Sequence, residues 1–243
     1  MKFLVIGESC LDVFVYGNVV RLAPESPVPV FNSIKSVENL GMASNVAANM
    51  RVLGCDTELY TNDNAECIKK IRYVETKSNH MFLRVDENDE KYGNALLRGI
   101  DFSKYDCVVI SDYDKGWLST NQINFIGRKS KISILDTKKI LGEWAYSISF
   151  IKINETEYAR TKSVLGEDII ENLIVTLGPR GAMYRGTVYP TPTVNRVDSA
   201  GAGDSFVSAF AKTFTETGDV QAAIEKGNEI ASIVVQKKGV STI

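Results

Sequence analysis

Short apolar runs that end in polar residues recur along the chain. They cover residues 3–6, 107–113, 131–136, 149–153 and 173–177. Runs of this length are typical of strands that are buried on both faces of a parallel sheet. Helical patterns lie between several of them, so we predict an α/β fold: a doubly wound, mainly parallel sheet flanked by helices.

Two segments have a different pattern, in which apolar and polar positions alternate. They cover about 13–37 and 71–90, and the first contains Pro24, Pro27 and Pro29. Proline disfavours helix interiors, and alternation indicates strands with one exposed face. We therefore predict a small β-strand lid on the main sheet, within a single domain that spans residues 1–243.

The segment 198–204 holds the most informative chemical pattern. Gly201 and Gly203 flank Ala202, and Asp204 opens an apolar stretch that is typical of a helix. Backbone N–H groups at a helix start attract anions, and glycines let a phosphate approach closely. A carboxylate beside such a site can accept a hydroxyl proton, which suits phosphoryl transfer to an alcohol. The alternative is that Asp204 only stabilises the first turn of its helix.

Two other polar residues suit a sugar ligand. Asp12 follows the first strand, where ligands bind in parallel α/β sheets, although a turn aspartate is an equally good interpretation. Asn45 lies in a helix whose residues are mostly small, so close packing does not explain its presence.

Composition and charge exclude several classes of function. The chain has 243 residues and a net charge of −2, so it lacks the basic character of nucleic-acid and membrane-surface proteins. Its four cysteines form no Cys-x-x-Cys pair and it has one histidine, so no zinc site or disulfide framework is indicated. No apolar stretch reaches the ~18 residues of a membrane span. We expect a cytoplasmic protein with a small-molecule partner.

Four motifs, in this order along the chain, resemble those of the ribokinase-like (PfkB) carbohydrate kinases. Residues 41–45 are similar to their N-terminal glycine-rich motif, and 154–157 to their Asn-x-x-Glu motif. Residues 176–181 resemble their nucleotide loop, and 198–204 resemble their C-terminal signature. Within the family, segments 21–30, 111–116, 136–138 and 238–243 are most similar to the heptose 7-phosphate kinase domain of ADP-heptose biosynthesis.

This resemblance implies a role for each candidate residue. The general base and its anion hole would be Asp204, Gly201, Ala202 and Gly203. The nucleotide would be bound by Asn154, Lys138, Thr176, Gly178, Gly181 and Asn228. The acceptor sugar would be bound by Asp12, Gly41 and Asn45, with Arg21, Arg84 and Lys115 as candidates for its phosphate. Metal ligands would be Glu157 and Asn154 for Mg²⁺, through water, and Asp198 for a monovalent cation such as K⁺.

The chain departs from the family pattern at three places. Met42 stands where the second glycine of a pair is usual, and the segments 61–72 and 157–173 are shorter than in the family. The chain also stops after the kinase region, so we expect any nucleotidyltransferase of the same pathway to be a separate protein.

The sequence thus predicts an ATP- and Mg²⁺-dependent kinase that phosphorylates a sugar hydroxyl, best matched by the anomeric hydroxyl of heptose 7-phosphate. Two alternatives stay open: a kinase for another sugar, sugar phosphate or nucleoside, and a protein that binds nucleotide or sugar without turnover. Because strands in the lid would leave an exposed edge, we also predict a homodimer formed through the lid.

Overall fold

The computed structural model describes residues 1–195 and 197–237, so the segment 238–243 that contributed to the resemblance lies outside the described residues. The strands are β1 (Lys2–Gly7), β2 (Ser9–Leu22), β3 (Pro29–Met42), β4 (Asp56–Tyr60), β5 (Lys69–Glu75), β6 (Met81–Glu87), β7 (Cys107–Asp112), β8 (Ser133–Thr137), β9 (Phe150–Asn154), β10 (Leu173–Thr176), β11 (Ala182–Tyr184) and β12 (Thr187–Tyr189). The α-helices are α1 (Ala43–Val52), α2 (Thr120–Lys129), α3 (Glu155–Thr161), α4 (Glu167–Ile170), α5 (Ala202–Thr217) and α6 (Val220–Val234).

The main sheet is mostly parallel. Its strand order over the described residues is β12-β11-β10-β9-β8-β7-β1-β4. The strands from β10 to β4 run parallel to one another, and β11 and β12 add an antiparallel edge. This arrangement confirms the predicted fold class.

Helices cover both faces of this sheet, which explains why its strands are apolar throughout. On β1, Leu4 and Ile6 point into the core that contains Ile123 of α2. Phe3 and Val5 alternate to the other face, where the core includes residues of α1, α5 and α6. Because both faces are buried, the strands carry continuous apolar runs instead of alternating patterns.

Helix α5 is fixed against the sheet by aromatic packing. Phe210 and Phe214 lie one helical turn apart, and each contacts Phe150 of β9 edge-on, with ring centroids 5.3 and 4.5 Å apart. Burying a phenylalanine side chain stabilises a fold by about 1.5–3 kcal/mol. This packing sets the position of the helix N-terminus, where Asp204 lies.

The lid is a separate four-stranded sheet with the order β3-β2-β5-β6. Strand β2 begins at Ser9, two residues after β1 ends, so the lid extends from the carboxyl end of the main sheet. The same end of a parallel sheet is where ligands bind in open α/β folds.

The segments 61–72 and 157–173, which are shorter than in the family, each contain little secondary structure between the elements that they connect. Between β4 and β5 the chain forms a single 3-10 turn, Ala65–Cys67. Between α3 and β10 it forms the four-residue helix α4. Among the helices of residues 1–195 and 197–237, none has the length and apolar character needed to cross a membrane.

Candidate active site

Asp204 lies in the first turn of α5 and is almost fully buried. Its Oδ2 accepts a hydrogen bond from Asn45 Nδ2 at 2.7 Å, and its Oδ1 accepts one from the Tyr113 hydroxyl at 3.0 Å. Burial raises the pKa of Asp204 to about 6, and the negative charge of Asp136 adds to the increase. A carboxyl group that titrates near neutral pH is well suited to act as a general base.

The residues before Asp204 form a tight turn into the helix. Gly201 is the N-cap residue and has φ 81°, a left-handed conformation that glycine adopts without strain. The Ala202 amide donates a long hydrogen bond, 3.3 Å, to the Ser199 carbonyl. The first N–H groups of a helix lack intrahelical partners and carry partial positive charge, so this turn presents an anion-binding end.

A cleft of about 520 Å³ opens in front of this turn. It is lined by all ten residues that were predicted for catalysis and nucleotide binding: Lys138, Asn154, Thr176, Gly178, Gly181, Gly201, Ala202, Gly203, Asp204 and Asn228. Small-molecule sites in proteins have volumes of about 300–1,000 Å³, so the cleft has the size of a cofactor or nucleotide site.

The Asn154–Glu157 pair forms a capping box at the start of α3. Asn154 Oδ1 accepts from the Glu157 amide at 2.9 Å, and Glu157 Oε2 accepts from the Asn154 amide at 2.7 Å. Glu157 Oε1 pairs with Lys138 Nζ at 2.5 Å. Burial alone would lower the pKa of Lys138, but the carboxylates of Asp136 and Glu157 raise it overall, so this lysine stays charged in the cleft.

Asp136 provides the donor atom that best fits Mg²⁺. It lines the cleft, and its Oδ1 is buried without a hydrogen-bond partner among the described residues. Among the described residues, no group of three or more His, Cys, Asp or Glu side chains is arranged to hold a metal ion. Magnesium in nucleotide sites is typically held by one or two carboxylates together with phosphates and water, so Asp136 Oδ1 fits such an ion.

The predicted sugar residues lie on the lid side of Asp204. Asn45 is oriented by Asn49, whose Nδ2 donates to the Asn45 Oδ1 at 3.2 Å. A Cβ atom at Gly41 would lie 2.3 Å from Asp12 Oδ2, so only glycine leaves room for this buried carboxylate. The loop that carries Tyr113 is held by the buried Glu8, which accepts from the Tyr113 amide at 2.9 Å.

Cations from the lid and the core meet near Asp12. Arg72 of β5 pairs with Asp12, and Lys70 of the same strand pairs with Asp89 at 2.8 Å. Lys115 also pairs with Asp89. Although burial raises the pKa of Asp89, hydrogen bonds from these two lysines lower it to about 2. Arg84 lies opposite Arg72 on β6 and is paired with Asp86 at 2.7 Å.

Arg21 and Asp198 are two of the predicted residues that do not line the main cleft. Arg21 is exposed near the tip of the lid, where it donates to the Leu22 carbonyl. Asp198, predicted as a cation ligand, accepts from the Ala200 amide at 3.0 Å and lines a second cavity of about 240 Å³ beneath the lid. The structure therefore does not bring Arg21 together with the other sugar residues.

Sequence reasoning did not single out five residues that the structure places at the site: Tyr113, Asp136, Lys152, Lys70 and Arg72. Asp136 ends a predicted strand, so its position at the carboxyl end of the sheet was a usable signal. Lys152 interrupts an apolar run, which is a signal for a buried charge. Lys70 and Arg72 share a strand face at i, i+2 spacing, but the strand was predicted to start at residue 71, two residues after β5 begins.

Comparison with known proteins confirms the resemblance. Residues 135–243 match the family described as "pfkB family carbohydrate kinase". The chain is 26% identical over 291 residues to the "Bifunctional protein HldE" of Nitratiruptor sp., covering 99% of this chain and 63% of that protein. The chain therefore spans less than two thirds of that relative's length, and the alignment is longer than the chain because the relative has segments that are absent here.

Solved ribokinase structures share the fold. A ribokinase from Thermotoga maritima superposes with a TM-score of 0.73 at 17% identity, covering 98% of this chain and 94% of that one. An Arabidopsis thaliana ribokinase complexed with ribose and ATP gives a TM-score of 0.72 at 18% identity, covering 98% and 93%.

Proposed function

We propose that this chain, which carries a pfkB-family carbohydrate kinase domain, transfers the γ-phosphoryl group of ATP to a hydroxyl of a sugar phosphate. The observation that carries the proposal is the position of Asp204. Its buried carboxylate lies in the first turn of α5, beside an anion-binding helix end and in the same cleft as the proposed nucleotide residues.

In the proposed reaction, the acceptor hydroxyl loses its proton to the Asp204 carboxylate as its oxygen attacks the γ-phosphorus. The new bond joins that oxygen to phosphorus, and the bond between the γ-phosphorus and the bridging oxygen of ADP breaks, with the electron pair leaving on ADP. The turn at Gly201, Ala202 and Gly203 stabilises negative charge on the migrating group.

Magnesium bound to the triphosphate would neutralise its charge and orient its oxygens. Asp136 has the available carboxylate oxygen, and Asn154 and Glu157 would act through water because their side chains already cap α3. Asp198 remains a proposed ligand for K⁺, beneath the lid.

A phosphorylated acceptor is supported by the charge of the lid. Lys70, Arg72, Arg84 and Lys115 supply four positive charges near Asp12, against three carboxylates, Asp12, Asp86 and Asp89. Among these ion-paired groups the positive charges exceed the negative charges by one, which supports a substrate phosphate near Asp12. The similarity to HldE proteins leads us to propose heptose 7-phosphate, phosphorylated at the anomeric hydroxyl.

We further propose a homodimer formed through the lid, because both lid edges carry exposed apolar side chains. On β3 these are Ile34, Val37 and Leu40, and on β6 they are Met81, Phe82 and Leu83. Pairing of such edges between subunits would cover backbone groups and apolar surface together. The four cysteines are free thiols, which suits the reducing cytoplasm that we propose as its location.

The test is an ADP-release assay with Mg·ATP over a panel that contains heptose 7-phosphate, unphosphorylated heptose, hexose phosphates, ribose and nucleosides. We expect the highest kcat/KM with heptose 7-phosphate. Higher kcat/KM with another acceptor would replace the heptose assignment, and nucleotide binding without turnover on any acceptor would favour the non-catalytic alternative.

A further inference from the structure

Lys152 is a buried lysine within a core strand. Its side chain is 5% exposed, and it lies in β9 between the core residues Ile151 and Ile153. The strand alternation directs Phe150 and Lys152 to the face that α5 covers. Lysine is almost never buried to this degree unless it is paired, so the position calls for a specific explanation.

The partner of Lys152 is Asp136, directly opposite it on β8. Lys152 Nζ lies 2.9 Å from Asp136 Oδ2. An ammonium group has three donor hydrogens, and within the described residues this carboxylate oxygen is its one hydrogen-bond acceptor. A buried ion pair that leaves donors unused does little for stability, because desolvation offsets most of the attraction.

The ammonium group also lies against the start of α5. A Cβ atom on Gly203 would be 2.8 Å from Lys152 Nζ, which is closer than real Cβ contacts allow. A Cβ atom at this position would push the end of the lysine side chain away from the helix start. Both Gly203 and Lys152 line the main cleft.

This placement brings a lysine to the end of a helix that normally attracts anions. The N-terminus of a helix carries roughly half a positive charge, so cations are normally found at the opposite end. Here a lysine and a helix N-terminus concentrate positive potential on one point of the cleft. Asp136 Oδ2 pairs with the ammonium and the nearby Asp204 carboxylate also attracts it, while the other oxygen of Asp136 has no partner in the described part of the chain.

We propose that Lys152 is a catalytic residue whose ammonium group binds the phosphoryl group during its transfer from ATP to the acceptor. This inference rests on the proposed function. The ammonium holds the non-bridging oxygens of the γ-phosphate, and it keeps its own protons throughout. Asp204 takes the hydroxyl proton, and ADP leaves with the electron pair of the broken bond. Asp136 positions the lysine.

The test compares ATP with ADP, because only ATP carries the group that Lys152 would hold. Binding of Mg·ATP and Mg·ADP is measured by calorimetry without acceptor for the wild type and for Lys152→Met. Charge-assisted hydrogen bonds are worth about 1.5–3 kcal/mol, so we expect ATP affinity to fall at least ~10-fold. ADP affinity should change less than ~2-fold, and kcat should fall with ATP affinity.

A matched control is Lys139→Met, since Lys139 pairs with the buried Asp112 at 2.7 Å and does not line the main cleft. It should lower stability while the ratio of ATP to ADP affinity stays at the wild-type value. If Lys152→Met fails to fold, Lys152→Gln replaces it, because glutamine removes the charge and keeps a side-chain amide that can donate to Asp136. It should show the same selective loss for ATP.

The outcomes separate this inference from the proposed function. A folded Lys152 variant that keeps the wild-type ratio of ATP to ADP affinity overturns the role of Lys152, even if the wild type is an active kinase. A wild-type protein that binds no nucleotide and releases no ADP overturns the proposed function, and this inference with it.

Discussion

The amide of Asn45 donates a 2.7 Å hydrogen bond to the carboxylate of Asp204 across 159 residues of sequence. The contact joins the first turn of α1 to the first turn of α5, so the two glycine-containing motifs meet at one buried carboxylate. Because this hydrogen bond lowers the pKa of Asp204 against the effect of burial, we predict that Asn45→Ala shifts the acid limb of the pH–rate profile to higher pH.

The wild-type profile itself follows from the pKa of Asp204, which burial raises to about 6. A general base works in its deprotonated form, so kcat should rise with pH up to this value and level off above it. The phosphate ester of the proposed acceptor also titrates near pH 6. To keep changes in acceptor binding out of the profile, kcat is measured at saturating acceptor over pH 5–8.5. A flat profile through this range would remove Asp204 from the role of base.

The raised pKa also predicts a cost in stability. The folded pKa of Asp204, about 6, lies above its ordinary value of 3.8, so the folded state loses stability as the pH rises between these two values, and the loss is complete above the folded value. We therefore expect Asp204→Asn to lose activity yet increase the free energy of unfolding at pH 8, by at most about 3 kcal/mol. The gain should shrink as the pH falls towards 4.

This prediction is checked by urea unfolding at pH 8 and at pH 5. Asn keeps one side-chain oxygen for the Tyr113 hydroxyl but loses the acceptor of Asn45 Nδ2, so the gain should be smaller than the ionisation cost alone. Lower stability of the variant at both pH values would show that the ionised carboxylate is a structural requirement and not a strained catalytic group.

The lid cations should determine the affinity for a phosphorylated acceptor. Lys115→Met leaves Asp89 paired with Lys70, so the change removes one charge without stranding a carboxylate. We expect KM for heptose 7-phosphate to rise about 10-fold or more, with a smaller change in kcat. KM for an unphosphorylated sugar should stay the same.

The matched control for this prediction is Lys69→Met, because Lys69 precedes Lys70 on β5 and its side chain alternates to the other face of the lid. It should leave both KM values near the wild type. An equal rise in KM for phosphorylated and unphosphorylated sugars in Lys115→Met would contradict a phosphate-binding role.

The lid should also hold two subunits together. Ile34 on the edge strand β3 is 60% exposed, and we expect Ile34→Lys to convert a dimer into a monomer. The mass is measured by light scattering on a sizing column at assay concentration. Val52→Lys, which changes an exposed residue at the end of α1, is the control and should stay dimeric. A monomeric wild type would contradict the proposal.

Much of the fold could be predicted from the sequence because local patterns are strong there. Continuous apolar runs predicted the buried parallel strands, since both faces of each strand are covered by helices. The residues of the nucleotide cleft were implied by the resemblance, because its motifs are short and can be matched in the sequence. These features depend on short stretches of chain.

The rest depends on contacts between distant segments. Lys152 and Asp136 meet only because β8 and β9 are neighbours in register. Arg21 was expected at the sugar site, but its place near the lid tip depends on the length of β2, which the alternating pattern did not limit. Met42 has φ 60°, the positive φ that glycine favours, although the residue at this position is not glycine.

The most direct measurement is the rate of ADP release with Mg·ATP and heptose 7-phosphate for the wild type, Asp204→Asn and Asp219→Asn at pH 8. Asp219 caps α6 outside the cleft, and asparagine is an equally good cap, so this variant should match the wild type. We predict that Asp204→Asn is slower by at least ~100-fold in kcat. Equal rates for all three proteins would contradict the claim that this carboxylate accepts the proton of the sugar hydroxyl.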